Sequence, residues 1–139
     1  MIEKKFEKYG VAEDCPIRNV VDRIGDKWSA LILLLLAEGE VMRFNEIHKW
    51  IGTISQKMLT VTLKTLEADG LVLRTAYPQI PPRVEYRLTS RGTSLIPHLR
   101  GLVGWAAENL QDIRESRRSF TGGLDGMAGV PGGRVISGI

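Results

Sequence analysis

The sequence of 139 residues predicts a single domain that is mainly α-helical and carries one small β-hairpin. Three observations predict this class. Apolar residues recur at helical spacing from Pro16 to Asp69 and again after Thr89. Between these stretches, residues 71–88 change to the alternation typical of β-strands, interrupted by three prolines. A hydrophobic content of 43% is ordinary for a globular domain with one core.

Two helices are predicted at the beginning of this pattern. Pro16 is a favoured first residue of a helix, and one face of that helix carries Ile17, Val20, Val21 and Ile24. Gly25-Asp26 interrupts it. A second helix, from about Lys27 to Glu38, is apolar around most of its circumference and is expected to lie at the centre of the core, ending at Gly39. Its apolar residues are Trp28, Leu31, Ile32, Leu35 and Leu36.

Two further helices follow, joined by a tight turn. The first fits Phe44 to Ile51, with an inner face of Phe44, Ile47 and either Trp50 or Ile51. Gly52-Thr53-Ile54 forms the turn, and Ser55 is a good N-cap for a helix that ends near Asp69 and Gly70. The predicted inner face of this helix is Met58, Leu59, Thr62, Leu63 and Leu66. Its predicted outer face is Gln56, Lys57, Thr60, Val61 and Lys64.

A hairpin and a long helix complete the domain. Leu71 to Thr75 and Val84 to Leu88 read as strands around a loop, Tyr77 to Pro82. The helix after Thr89 is expected to reach about Arg114, with Pro97 as a kink or as its true beginning. We therefore divide the chain into an N-terminal arm (1–14), a folded domain (15–116) and a glycine-rich tail (117–139) that is expected to be disordered.

Composition and patterning exclude several classes of protein. The longest apolar run, Ala30 to Ala37, is far shorter than the roughly 20 residues of a membrane helix. Met1 to Lys8 has no apolar signal-sequence core, which predicts a cytoplasmic protein without a membrane partner. His48, His98 and the lone Cys15 do not form a metal-ligand pattern, so no metal or other cofactor is predicted. Without a phosphate-binding loop or a Ser–His–acid arrangement, the chain is not expected to be an enzyme.

The order of helices, hairpin and helix is that of a winged helix-turn-helix, in which the helix after Ser55 would lie in the major groove of double-stranded DNA. Arg83 near the hairpin tip would meet an adjacent minor groove or its phosphates. A net charge of +3 is compatible with this function. The predicted DNA-binding residues are Ser55, Gln56, Lys57, Thr60, Val61, Lys64, Arg83 and Arg43.

The same surface permits another reading. A polar helix face with two lysines is also typical of a solvated surface, and Glu67 and Asp69 lower its positive charge. The alternative function is a winged-helix module that binds another protein and not DNA. Charge reversal at Lys57 would separate the two, because a protein interface elsewhere would remain intact.

The sequence resembles the HxlR-type family of bacterial winged-helix regulators over roughly residues 15–110. The matching stretches are Cys15-Pro16, Gly25-Asp26-Lys27-Trp28, Arg43-Phe44-Asn45-Glu46-Ile47, Ile54-Ser55-Gln56-Lys57-Met58-Leu59-Thr60, Leu66-Glu67-Ala68-Asp69-Gly70-Leu71-Val72, Pro81-Pro82-Arg83-Val84-Glu85-Tyr86-Arg87-Leu88-Thr89 and Trp105. The resemblance implies a repressor or activator that binds a roughly palindromic operator as a homodimer. Val61 departs from the family, because many relatives carry a polar or basic residue there. The tail after Ser119 matches no family pattern.

The family pairs its subunits through the N-terminal and C-terminal helices, and the apolar stripe of the last helix exceeds what one small core can cover. The residues expected at the dimer interface are Ile17, Val20, Leu95, Leu99, Leu102, Val103, Ala106, Leu110 and Ile113. Intramolecular core packing is the alternative for this stripe. The three tryptophans, Trp28, Trp50 and Trp105, could line an inducer cavity, but core packing is the expected role of each.

Cys15 is a candidate redox sensor. It precedes a helix, whose dipole favours a thiolate, and Arg18 lies one turn further on. Several relatives use a cysteine near this position to sense oxidants, quinones or aldehydes, so an electrophile is a candidate inducer. The alternative is a small buried apolar residue, and Asp14 beside it would oppose thiolate formation.

Overall fold

The structure, a computed structural model, describes residues 15–126. The predicted arm (1–14) and residues 127–139 of the predicted tail lie outside the described part of the chain. By its internal contacts the chain divides into two compact units, Met1–Arg100 and Gly101–Ile139.

The described elements confirm a mainly helical fold with a hairpin. In chain order they are a π-helical turn (Ile17–Val21), α1 (Asp22–Ile24), α2 (Ser29–Gly39), β1 (Met42–Arg43), α3 (Phe44–Ile51), α4 (Gln56–Ala68), β2 (Val72–Tyr77), β3 (Arg83–Leu88) and α5 (Ser90–Gly126). None of the helices in this range is long and apolar enough to cross a membrane. The predicted bounds of α3 are confirmed, and those of α4 hold to within a residue.

Helix α2 lies in the core, as predicted, but begins two residues later than expected. The Asp26 carboxylate accepts hydrogen bonds from the backbone N–H groups of Trp28 (2.9 Å) and Ser29 (2.6 Å). These bonds satisfy the first N–H groups of the helix, which therefore begins at Ser29. At the other end Gly39 is still helical, and Glu40 takes the positive φ of 63°. A Cβ atom on Gly39 would lie 2.6 Å from the sulfur of Met42, so this glycine makes room for a core side chain.

The core is built from every element of the first unit except the π-helical turn. Its buried apolar residues are Ile24, Ile32, Leu33, Leu36, Met42, Ile47, Ile54, Leu59, Leu63, Leu66, Leu71, Val72, Tyr86, Ile96 and Leu99. Leu31 and Trp50 were expected in the core, and both expectations are wrong, because Leu31 is 46% exposed and Trp50 is 74% exposed. Of the two alternatives for the inner face of α3, the structure selects Ile51, which packs partly buried against the core.

The sheet has three antiparallel strands in the order β1-β3-β2. The hairpin pairs Val72 with Leu88 at its base and Tyr77 with Arg83 at its tip. Strand β1, absent from the sequence prediction, pairs Met42 with Tyr86 and Arg43 with Glu85. A strand of two residues is too short to show alternation, so its pattern gave no signal.

A compact junction fixes the hairpin between α4 and α5. Gly70 takes a φ of 73°, and its carbonyl accepts a hydrogen bond of 2.6 Å from the Thr89 hydroxyl. The Thr89 N–H donates to the carbonyl of Leu71 (3.0 Å). A Cβ atom on Gly92 would clash with the same carbonyl, so α5 approaches the base of the hairpin at backbone distance.

Helix α5 begins directly after Thr89, as predicted, so Pro97 lies inside it and is not its first residue. The expected end at Arg114 is wrong, because the helix continues to Gly126. The predicted tail therefore begins inside a helix. Its first residues, from Arg117 to Phe120, are not glycine, and an ion pair of 4.0 Å joins Arg118 to Glu115 one turn earlier.

Candidate nucleic-acid interface

The turn between α3 and α4 sets the direction of α4. Gly52 takes a φ of 78°, which favours glycine, and its N–H donates to the carbonyl of His48 (2.9 Å). Ile54 is 3% exposed and fixes the turn in the core. The Ser55 hydroxyl then accepts a hydrogen bond of 3.0 Å from the N–H of Met58. Ser55 is thus the predicted N-cap, and its hydroxyl proton remains free to be donated.

The inner face of α4 holds the helix on the core. Leu59, Thr62, Leu63 and Leu66 are buried, and the Thr62 hydroxyl donates to the carbonyl of Met58 (2.8 Å). Met58 was expected on this face, but 43% of its surface is exposed. Its position before Leu59 turns it toward the edge of the helix, so Met58 joins the candidate interface, a residue that the sequence pattern assigned to the core.

The outer face of α4 centres on three exposed residues at helical spacing, Lys57, Val61 and Lys64. Gln56 and Thr60 are exposed beside them. The Thr60 hydroxyl donates to the carbonyl of Gln56 (2.9 Å), so its proton is used and its oxygen can only accept. This surface therefore offers donors in the lysines, both functions in Gln56, and an apolar side chain, Val61, that suits a thymine methyl group.

The end of α4 carries less free negative charge than the sequence implied. The guanidinium of Arg23 donates from Nε to Oδ2 of Asp69 at 2.7 Å. This hydrogen bond and the charge of Asp69 raise the pKa of Arg23 above its ordinary value. The ion pair offsets the carboxylate of Asp69, which leaves Glu67 as the exposed acidic residue of this turn.

Arg43 lies in β1 at the beginning of α3, and its side chain is exposed. Its backbone N–H donates to Oε1 of Glu46 (2.8 Å), which caps α3. The bond uses the backbone, so the guanidinium of Arg43 remains available for a phosphate.

Arg83 is placed differently from the expectation of a free cation at the hairpin tip. Its guanidinium carbon lies 4.1 Å from the centroid of the Tyr77 ring, and its Nε lies 3.5 Å from Oε2 of Glu85. The Nε atom is buried and lacks hydrogen-bond geometry toward any partner, so the contact with Glu85 is an ion pair without a directed hydrogen bond. The structure thus folds this side chain back onto the hairpin.

Residues 78–82 form the tip of the hairpin, which we call the wing tip, and all five are exposed. Ile80 is 100% exposed. The wing tip contains no charged residue.

The residues predicted at the dimer interface fall into two groups. In the first unit, Ile17 and Val20 are exposed, Leu95 packs partly buried against the core, and Leu99 is 7% exposed. The expectation for Leu99 is therefore wrong: it belongs to the core of its own chain. In the second unit, Ile113 is half-buried, and the other predicted residues are exposed: Leu102, Val103, Ala106 and Leu110.

Two apolar residues of the second unit were not predicted at the interface. Trp105 is 57% exposed, so its expected role in core packing is wrong, and Phe120 is 45% exposed. Phe120 lies seven residues after Ile113, on the same helical face. The sequence prediction missed it because residue 120 was assigned to the tail and not to the helix.

Cys15 is 1% exposed, which agrees with the alternative of a small buried residue. Its carbonyl accepts hydrogen bonds from the backbone N–H (3.0 Å) and the side-chain Nδ2 (2.9 Å) of Asn19. The backbone bond spans four residues, as in an α-helix, and leads into the π-helical turn, in which the N–H of Asp22 donates to the carbonyl of Ile17. Across the described residues, no three His, Cys, Asp or Glu side chains come together as a metal site.

Comparison with known proteins gives the family. The model of the HxlR-like helix-turn-helix family matches residues 23–114. An HTH-type transcriptional regulator of Halalkalibacterium halodurans is 47% identical over 97 residues, which cover 70% of this chain and 86% of the relative. The redox regulator HypR in its reduced form matches with a TM-score of 0.66 and 40% identity, covering 73% of this chain and 98% of HypR. The reduced form of the transcriptional regulator YodB from B. subtilis matches with a TM-score of 0.59 and 35% identity, covering 70% of this chain and 92% of YodB. The chain therefore belongs to the HxlR-like helix-turn-helix family of transcriptional regulators.

Proposed function

We propose that the chain binds double-stranded DNA as a homodimer at an inverted repeat, with α4 in the major groove of each half-site. The observation that carries this proposal is the face of Lys57, Val61 and Lys64, exposed on a helix whose other side is buried in the core. A helix held in this way presents its side chains in a fixed geometry, which base recognition requires.

Lysine contacts to phosphates make such binding depend on salt. Each neutralised phosphate releases counterions, so a dimer with ~6 phosphate contacts would lose about 10³-fold in affinity between 50 and 200 mM salt. Symmetry places the two half-sites about one helical turn, ~10 base pairs, or a small multiple apart.

The exposed apolar residues of the terminal helices support the dimer. Val20 is 54% exposed in the first unit, and Leu102 is 64% exposed in the second. Isolated apolar side chains on a surface are ordinary, but several on one helix mark an interface. Leu102→Asp is expected to give a monomer by sedimentation analysis, whereas the exposed polar position on the same helix, Gln111→Asp, leaves a dimer. A dimer that persists in Leu102→Asp contradicts this interface.

Selection of bound duplexes from a random library, with the reduced protein at moderate salt, tests DNA recognition. Enrichment of an inverted repeat is the expected result. Lys57→Glu should abolish enrichment, and Lys49→Glu, an equal change of charge on α3, should retain it. A folded dimer that enriches no sequence would overturn the proposal in favour of a module that binds another protein.

We further propose that Cys15 links DNA binding to the redox state. HypR, 40% identical to this chain, is a redox regulator. The chain has one cysteine, so a disulfide between two Cys15 thiols joins two subunits, and its formation transfers two electrons and two protons to the oxidant. Cys15 is 1% exposed, so its thiol must become accessible before it reacts.

Treatment with diamide tests this role. The wild type is expected to form a covalent dimer and to change its affinity for the selected duplex, while Cys15→Ser does neither. Equal affinity before and after diamide in both proteins would rule out sensing through this thiol and leave DNA recognition untouched.

A further inference from the structure

The wing tip presents an apolar side chain in an unusual setting. Ile80 has the highest exposed fraction, 100%, of the large apolar residues in the described chain. Three of the other four residues of the wing tip, Pro78, Pro81 and Pro82, are prolines, whose fixed φ makes the tip stiff. A stiff loop holds Ile80 in place before any contact forms, so little conformational entropy is lost when it binds.

The nearest cation is withdrawn from the tip. Arg83 stacks on Tyr77 at 4.1 Å and lies 3.5 Å from Glu85. These contacts hold its guanidinium against the hairpin, and residues 78–82 bring no charge of their own. The wing tip therefore presents a fully exposed apolar side chain and no cation.

The length of the hairpin suits a groove beside α4. Only residues 69–71 separate the end of α4 from the beginning of β2. At 1.5 Å per residue, the 13 residues of α4 span about 20 Å. At 3.3 Å per residue, the six residues of β2 also span about 20 Å. The hairpin of β2 and β3, the wing of this fold, can thus extend about as far as the length of α4 from residues 69–71, where the two elements meet.

We propose that Ile80 enters the minor groove next to the major groove occupied by α4 and acts there as an apolar wedge. Apolar side chains, isoleucine among them, insert between base steps from the minor groove, partly unstack the bases and kink the duplex. The wing then selects DNA by how easily the step deforms, which favours flexible pyrimidine–purine steps, and contributes no counterion release. This inference rests on the proposed DNA binding.

Two opposite substitutions test it on the tightest duplex obtained by selection from a random library. Affinity is measured by fluorescence anisotropy over a range of salt concentrations. Ile80→Ala should bind about tenfold more weakly, with an unchanged salt slope, because it loses apolar contact only. Ile80→Lys should steepen the slope by about 1.8, which is ~0.9 for each of the two subunits, because a cation at each tip reaches a phosphate. Gln79→Ala, the matched control in the same loop, should resemble the wild type.

The outcomes separate this inference from the function on which it rests. If Lys57→Ala weakens binding while both Ile80 variants keep wild-type affinity and slope, DNA binding stands and the wedge is wrong. If Ile80→Ala converts the dimer into a monomer in sedimentation analysis, the residue contacts the partner subunit and the wedge is wrong. If the folded wild type binds no duplex, the function and the wedge fall together.

Discussion

Helix α4 and the wing tip face the same proposed ligand with opposite chemistry. The helix buries four side chains in the core and exposes two lysines, whereas the wing tip buries none of its residues and has no charge. Substitutions on the buried side of α4 are therefore expected to change the stability of the domain, whereas substitutions at the wing tip are not. In the proposed complex, affinity from charge and selection by shape would therefore lie in separate parts of the molecule.

The largest effect is expected from the buried side of α4. Leu63 is 1% exposed, and Leu63→Ala should lower the free energy of unfolding by about 2–5 kcal/mol, because it leaves a cavity in the core. Urea denaturation measures this loss. Its neighbour provides the control: Lys64→Ala on the exposed side should stay within about 0.5 kcal/mol of the wild type. Equal losses at both positions would contradict the division of α4 into two faces.

The exposed side of α4 should change binding and not stability. Lys57→Ala is expected to weaken binding to the selected duplex by about 1–3 kcal/mol if the lysine contacts a base. If it contacts a phosphate, the salt slope should fall by about 2, which is ~1 for each subunit of the dimer. Anisotropy titrations at several salt concentrations distinguish the two cases. Lys49→Ala on α3 is the control, and an effect of equal size there would mean that only total charge matters.

The contrast between these two faces was largely readable from the sequence. The spacing of Leu59, Leu63 and Leu66 is strictly helical, and a serine before them marks the helix start, so the inner face, the cap and the outer lysines were found together. The prediction that Met58 is buried was wrong, because Met58 is apolar and adjacent to that stripe. Periodicity does not separate a position at the edge of the buried face from one inside it. The predicted end of α5 was wrong because residues 117–120 were assigned to the tail from the glycine-rich composition that follows them.

The wing was harder to predict. Alternation gave its two strands, but the position of Arg83 depends on a carboxylate of its own strand and on a ring that the strand register brings beside it. Alternation along β3 already places Glu85, two residues away, on the same face as Arg83. Tyr77, six residues away, is brought opposite Arg83 by the register of the hairpin, which no local pattern gives. The same limit hid β1, whose two residues are defined by pairing with β3 and not by their own sequence.

A moderate effect is expected at the cap that joins the two faces of α4. Ser55→Ala removes the acceptor for the N–H of Met58 and should destabilise the protein by about 1 kcal/mol. Thermal and urea unfolding would measure it. Thr53→Ala, an exposed hydroxyl in the same turn, is the matched control and should be close to neutral. A neutral Ser55→Ala would show that the buried residues alone hold the helix start.

The smallest effect is expected at the arginine of the wing. Arg83→Ala removes a stacking contact with Tyr77 and a partly exposed ion pair with Glu85, which together should cost about 1 kcal/mol of stability. Because the guanidinium is engaged with the hairpin, the salt slope of DNA binding should remain that of the wild type, as in Arg87→Ala, an exposed arginine of the same strand. A slope that falls by about 2 in Arg83→Ala alone, ~1 for each subunit, would show that the side chain leaves Tyr77 to contact a phosphate. The wing would then bind through charge, as α4 does, and the separation of charge from shape would not hold.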